Sequence, residues 1–152
     1  MIAEHDTYRT PAGRRSGWTR LCPVPRLNLY LPVLGVVIRA NRLARRGLYG
    51  DREWVHSSLT ILRALEETGI RVSVEGLENL RALEGPAVFL GNHMSTLETF
   101  VLPGIIQPVR PVTFVVKESL LTYPLFGPIM RSRDPVAVGR RNPREDLTAV
   151  LR

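Results

Sequence analysis

The run Asn92-His93-Met94-Ser95-Thr96-Leu97-Glu98 places an imidazole five residues ahead of a carboxylate. A histidine held by a carboxylate keeps one ring tautomer and offers its other nitrogen as a general base. That arrangement suits activation of a hydroxyl or a thiol. On an ideal helix, positions i and i+5 lie about 140° apart and share no face. His93, however, precedes the helix start that Ser95-Thr96-Leu97-Glu98 announces. Its ring can fold back over the first turn, where a carboxylate at the third helical position points. The same four residues form an S-x-x-E capping box, in which Ser95 accepts from the Glu98 amide and Glu98 reaches back to the Ser95 amide. Spacing leaves both roles open for Glu98, partner of His93 or helix cap. No second His, Cys or Asp stands close enough to complete a zinc set, and there is no glycine-rich phosphate loop.

These residues need elements to position them. Ala87–Gly91 (AVFLG) reads as a buried strand, which puts His93 just past a strand's carboxyl end, where sites of open α/β sheets gather. Glu98–Ile106 reads as a helix ended by Pro108. Upstream, residues 51–68 form an amphipathic pattern through Trp54, Val55, Leu59, Leu62 and Leu65, with Asp51 as N-cap and Gly69 as stop. His56 falls on its polar side and reads as a surface histidine. Ile70–Glu75 is a second short strand. Downstream, residues 112–116 (VTFVV) are the clearest strand, Leu120–Met130 reads as a short helix plus loop, and residues 135–139 (PVAVG) as another strand. Asn142 caps a helix opened by Pro143, with Glu145 and Asp146 in its first turn. Strands alternating with helices predict an α/β fold with a largely parallel sheet flanked by helices.

The 152 residues suffice for one domain with a sizeable core. A single cysteine, Cys22, excludes an internal disulfide framework and a cysteine-rich zinc site. The net charge of +7 lies wholly in residues 1–46, where nine arginines face only Glu4 and Asp6. Residues 1–26 carry no apolar period and no secretory signal pattern and read as a mobile basic tail. Residues 27–38 (LNLYLPVLGVVI) are apolar but too short to span a bilayer, which takes about twenty residues. They run into RANRLARRG. Residues 27–50 therefore read as a helix lying in a membrane interface with guanidinium groups near lipid phosphates, or else as a core helix. Residues 51–152 form the α/β domain. A nucleic-acid role is not expected, since the arginine-rich tail lacks interleaved aromatics and any recognition motif.

Asn92-His93-Met94-Ser95-Thr96-Leu97-Glu98 resembles the first signature of the glycerolipid acyltransferases, the 1-acylglycerol-3-phosphate acyltransferase family. Its pattern is N-H-x-S-x-x-D, with glutamate here in place of aspartate. Lys117-Glu118-Ser119-Leu120 and Pro124-Leu125-Phe126-Gly127 are similar to the stretch after that family's second core strand. Val136-Ala137-Val138-Gly139-Arg140 is similar to its second signature, a strand ending in a phosphate-contacting arginine. The resemblance covers roughly residues 50–152.

It implies transfer of a fatty acyl group from a thioester, acyl-CoA or acyl-carrier protein, to a lysophospholipid hydroxyl such as that of 1-acylglycerol-3-phosphate. No cofactor beyond that co-substrate is implied. His93 would take the acceptor's proton and Glu98 would orient His93. Asn92, Ser95 and Thr96 would contact substrate as part of the same signature. Arg140 would hold the phosphate, which a guanidinium fork fits well, with Arg131, Arg133 and Arg141 as alternatives. Lys117 would assist, or be a plain solvated charge. Partners would be an anionic membrane surface, the lysophospholipid and the thioester, with the chain peripheral or monotopic on the cytoplasmic side. Glutamate's extra methylene shifts the pair by roughly 1 Å relative to aspartate. The third signature, an E-G-T-R-type loop, and the fourth, an apolar strand with proline, are absent. The sequence is accordingly expected to be an N-terminal portion of the family's domain. The alternative reading is a membrane-surface module of the same fold without turnover.

Overall fold

A computed structural model describes residues 2, 5–13 and 25–151; Cys22 and tail residues 14–24 lie outside the described residues. The body is helical. The apolar run and the arginines after it form one helix, α1 (Pro25–Arg45), and the amphipathic stretch forms α2 (Asp51–Glu67). Gly50, not Asp51, occupies the N-cap of α2, and the Glu53 carboxylate accepts the Gly50 N–H at 3.1 Å. Gly69 ends the helix as expected, at φ +94°, a left-handed conformation that glycine adopts without cost.

The two helices pack through Val37 and Ala40 of α1 and Trp54 of α2, joined by Tyr49 and by Ile129 of α5 (Phe126–Arg131). Trp54 meets Phe114 edge-on at 5.7 Å, and the Arg133 guanidinium covers the indole at 4.5 Å. The buried face of α2 is Trp54, Ser58, Ile61, Leu62 and Leu65, so the expected Val55 and Leu59 lie on its flank. Asn41 is buried in α1 and donates to the Leu125 carbonyl at 2.7 Å, tying α1 to the turn before α5.

For residues 27–50, the two readings divide along the helix. The C-terminal half of α1 is core. On its N-terminal half Leu27, Tyr30, Leu31 and Leu34 stay exposed on one stripe, Tyr30 at 64% and Leu31 at 61%. No helix among the described residues is long and apolar enough to cross a membrane.

The sheet differs from expectation. β1 (Tyr8–Arg9) pairs antiparallel with β2 (Ser73–Val74). β3 (Val115–Lys117) pairs parallel with β4 (Val136–Val138), with Lys117 opposite Val138. The parallel connection runs through a 3-10 turn (Glu118–Thr122) and α5. Among the described residues, two two-stranded ribbons thus stand where a broad, largely parallel sheet was expected.

Ala87–Gly91 is not a strand and is not buried: Val88 is 86% and Leu90 94% exposed. An apolar run becomes a strand only where neighbouring backbone accepts and donates its ladder bonds, and among the described residues none pairs with it. Residues 5–13, expected in a tail without regular structure, are instead attached. Besides the β1–β2 pairing, the Tyr8 hydroxyl donates to the buried Glu66 at 2.6 Å, Arg9 pairs with Glu75 at 3.0 Å and Arg81 with Asp6. The alternation of polar and apolar residues that would have announced β1 is only two residues long.

Between these ribbons lie α3 (Leu77–Ala82), which buries Leu77 and Leu80, and α4 (Leu97–Ile106), which packs on α2. α6 (Pro143–Val150) follows β4, with the Asn142 side chain accepting the Arg144 N–H at 3.1 Å, the N-cap that the sequence announces.

Candidate active site

The loop carrying His93 is anchored from behind. Arg110, just past α4, donates to the carbonyls of Leu83 and Gly85, where the loop begins. From there to Thr96 every residue is exposed.

At the far end the chain turns into α4 around one carboxylate. Glu98 accepts the Met94 N–H at 3.1 Å, the Ser95 N–H at 3.1 and 3.2 Å through its two oxygens, and the Ser95 hydroxyl at 2.9 Å. This is the glutamate half of the expected capping box. The other half differs: Ser95 Oγ accepts from Leu97 N–H at 3.0 Å, not from the Glu98 amide. α4 begins at Leu97 with Thr96, already helical, at its N-cap, so Ser95 stands one position too early and makes a two-residue hydroxyl turn. The Glu98 carboxyl is held below the usual carboxylate range. The chief cause is the hydrogen bond from its own backbone N–H; partial desolvation opposes it, and the Ser95 and Met94 donors reinforce it.

His93 Nδ1 lies 3.7 Å from Glu98 Oε2. That is ion-pair range, outside hydrogen-bond distance; such contacts are often long without substrate. The ring side chain is 67% exposed. With Nδ1 on the carboxylate side, Nε2 is the nitrogen left for a substrate proton. The capping and dyad geometries therefore coexist, because the cap is what holds the carboxylate beside the ring.

His93 and Thr96 stand at an apolar cavity of about 420 Å³ walled by α1, α2, α4 and α5, within the size range of small-molecule sites. Phe100, Trp54, Tyr49 and Ile129 supply much of its wall. Burial raises the Tyr49 hydroxyl above its ordinary pKa, against the lowering effects of a Ser57 hydrogen bond and the Arg133 charge. The phenol is thus neutral at physiological pH. Sequence reading took Trp54 only as part of the apolar period of α2, and Tyr49, Phe100 and Ile129 carried no signal as site residues.

Lys117 and Arg140 both stand at the carboxyl end of the β3–β4 pair, Lys117 as the last residue of β3 and Arg140 two residues past β4, both exposed. Arg140 adopts φ +58°, uncommon for a residue with a Cβ. Its N–H and that of Gly139 both donate to the Asp146 carboxylate, at 2.9 and 2.8 Å, so α6 fills that backbone concavity with its own anion. Among the described residues no hydrogen bond or ion pair links this basic end to the His93 group. Asn92 adjoins His93 and is exposed. Of the alternative cations, Arg133 is engaged with Asp51 and Trp54, and Arg131 with the Leu121 carbonyl. Arg141 is exposed.

The chain is thus a mixed α/β protein with two exposed cations at parallel strand ends and a histidine–carboxylate pair at an apolar cavity. The chain belongs to the Acyltransferase family, whose sequence model matches residues 71–151, more than half its length. It is 37% identical over 93 residues to the 1-acyl-sn-glycerol-3-phosphate acyltransferase of Pseudomonas aeruginosa, covering 61% of this chain and 34% of that one. It is 29% identical over 82 residues to the chloroplastic 1-acyl-sn-glycerol-3-phosphate acyltransferase LPAT1 of Arabidopsis thaliana, covering 54% and 22%. The corresponding enzyme BAT2 of Brassica napus is 28% identical over 82 residues, covering 54% and 23%. The matched stretch thus covers between 22% and 34% of the length of these curated relatives. No solved structure matches it.

Proposed function

We propose that the protein takes part in moving a fatty acyl group from an acyl thioester, acyl-CoA or acyl-carrier protein, to the hydroxyl of 1-acylglycerol-3-phosphate. The observation that carries this reading is His93 at the apolar cavity with Nδ1 toward Glu98. In the reaction, His93 Nε2 takes the acceptor's hydroxyl proton as the oxygen attacks the thioester carbonyl. The tetrahedral intermediate collapses, the C–S bond breaks, and the proton passes from His93 to the departing thiolate. The products are an ester and a free thiol. Glu98 favours the transient imidazolium. The cavity suits an acyl chain. Asn92, Ser95 and Thr96 adjoin the reacting region, and Arg140, with Lys117, suits the acceptor's phosphate.

Acceptor and acyl product both reside in lipid, and α1 is suited to meet them. Its exposed stripe Leu27, Tyr30, Leu31 and Leu34 continues toward exposed Arg39, Arg42 and Arg46, the pairing of apolar face and cations that binds anionic interfaces. The protein then works as a peripheral or monotopic protein on the cytoplasmic face.

The test is His93→Ala, assayed with purified protein, anionic vesicles, 1-acylglycerol-3-phosphate and each thioester. General-base loss lowers turnover by about 10²- to 10⁴-fold, with vesicle cosedimentation unchanged. Turnover retained by the variant sinks the mechanism. Vesicle binding without turnover in the unaltered protein supports the catalytically inactive membrane module.

A further inference from the structure

α4 carries Glu98 in its first turn, and it is an unusual helix. Pro103 stands inside it and has no N–H, so the Thr99 carbonyl loses its helical donor. Beside this break a side chain from another helix enters the ladder. Ser58 of α2, almost wholly buried, accepts the Gly104 N–H at 2.8 Å and donates its own proton to the Val101 carbonyl at 2.9 Å. One hydroxyl thus bridges a donor and an acceptor three residues apart on α4. Insertion of a side chain into the ladder is one of the few ways a helix is bent or pinned.

The fit is steric as well as polar. A Cβ at position 104 would lie 2.7 Å from Ser58 Oγ, 3.1 Å from Ser58 Cβ and 3.2 Å from Leu59 Cδ2. Glycine leaves room for the Ser58 side chain to come this close to the α4 backbone. An apolar contact between α2 and α4 would tolerate sliding or rotation; a buried hydroxyl with two assigned partners does not, because any other register strands polar groups. The Val101 carbonyl lies on the Glu98 side of Pro103, three residues and about 4.5 Å along the axis from Glu98. Setting α4 at Val101 and Gly104 therefore sets the place of Glu98, and of Thr96, Thr99 and Phe100 in the cavity wall.

We propose that Ser58, locked to Gly104, is a positioning residue that aligns the His93–Glu98 pair with the cavity. The proposal rests on the reading of that pair as the reacting group; Ser58 also borders the cavity, but both partners of its hydroxyl are on α4, through which the positioning acts.

The experiment compares Ser58→Ala and Gly104→Ala in the full chain with Leu65→Val, which trims a buried α2 side chain outside the cavity. Nitrogen-15 spectra are read at the Met94 and Ser95 amides, which donate to Glu98, and at the His93 ring. Both lock variants move these signals, and Gly104 amide exchange rises about tenfold or more in Ser58→Ala; Leu65→Val moves none of them. In turnover, Ser58→Ala lowers kcat about tenfold with the thioester KM within about twofold. Signals at positions 93–98 no more displaced than in Leu65→Val overturn the proposal, as does a KM change without a kcat change. The two ideas fail separately. If His93→Ala keeps its turnover, the mechanism falls. If His93→Ala is inactive while Ser58→Ala behaves like Leu65→Val, only the positioning role falls. The spectra decide the lock even where turnover is too slow to follow.

Discussion

The helical body and the ribbon from Leu83 to Thr96 are made of similarly apolar residues, yet they end in opposite environments. Leu62 of α2 is 2% exposed, while Leu90 of the ribbon is 94% exposed. A helix satisfies its backbone within its own segment and needs neighbours only for its side chains. A strand needs neighbours for both. α1, α2, α4 and α5 can therefore close a core by themselves, and Ala87–Gly91, with an equally apolar sequence, cannot become a strand alone. The body holds Glu98 from below, through α4, and the ribbon holds His93 out toward solvent.

The largest expected effect on stability lies in the body. Leu62→Ala removes a fully buried side chain between helices and leaves a cavity, costing about 2–5 kcal/mol. Urea unfolding followed by circular dichroism measures it, as a lower midpoint with unchanged slope. A cost under about 1 kcal/mol would mean that the α2 face is loosely packed, and the contrast with the ribbon would collapse.

An intermediate and local effect comes with acid at the junction of the two regions. Glu98 titrates below its ordinary value of 4.5 because it accepts hydrogen bonds, first from its own amide. Since the folded value is the lower one, its stabilisation is present above the unfolded value and is lost as pH falls through the folded value. Below pH 4.5 the first turn of α4 is therefore expected to loosen before the body does. Amide exchange at Met94 and Ser95 reports it, and Glu98→Gln, which keeps acceptor capacity but not charge, flattens the pH dependence. Simultaneous opening of α2 and α4 with pH would show that the junction has no separate response.

The same contrast explains what the sequence revealed. Gly69 as the stop of α2, Asn142-Pro143 as the start of α6 and the 3.6-residue period of α2 were legible because each acts within a few residues. The pairing of His93 with Glu98 was legible for the same reason, since a cap places one beside the other. β1 was not legible: two residues pairing with Ser73 and Val74 across more than sixty positions leave no local period. The broad sheet failed as an expectation because apolar β-branched runs state a preference, not a partner. Ser58 was unreadable because a serine inside an amphipathic helix usually faces water, and Gly104 inside an apolar helix has no local reason. Their reasons are each other. Asp146 likewise gave a helix-start signal, while its grip on the Gly139 and Arg140 amides depends on the turn that precedes it.

The smallest expected effect is in the ribbon, and it tests the comparison most directly. Leu90→Ser removes an isobutyl group that already meets water, so nothing buried is lost and no cavity forms. Surface substitutions of this kind stay within about 0.5 kcal/mol. The same unfolding experiment that registers Leu62→Ala should scarcely register Leu90→Ser, and the two curves taken together place the boundary between body and ribbon. A loss above about 1 kcal/mol would mean that Leu90 is covered in solution. The cover would then come from outside the described residues, and if from another copy of the chain, the midpoint would rise with protein concentration. A concentration-independent midpoint, with Leu90→Ser superimposed on the unaltered protein, leaves the ribbon as the structure shows it: apolar, unladdered and fixed at its two ends by Arg110 and Glu98.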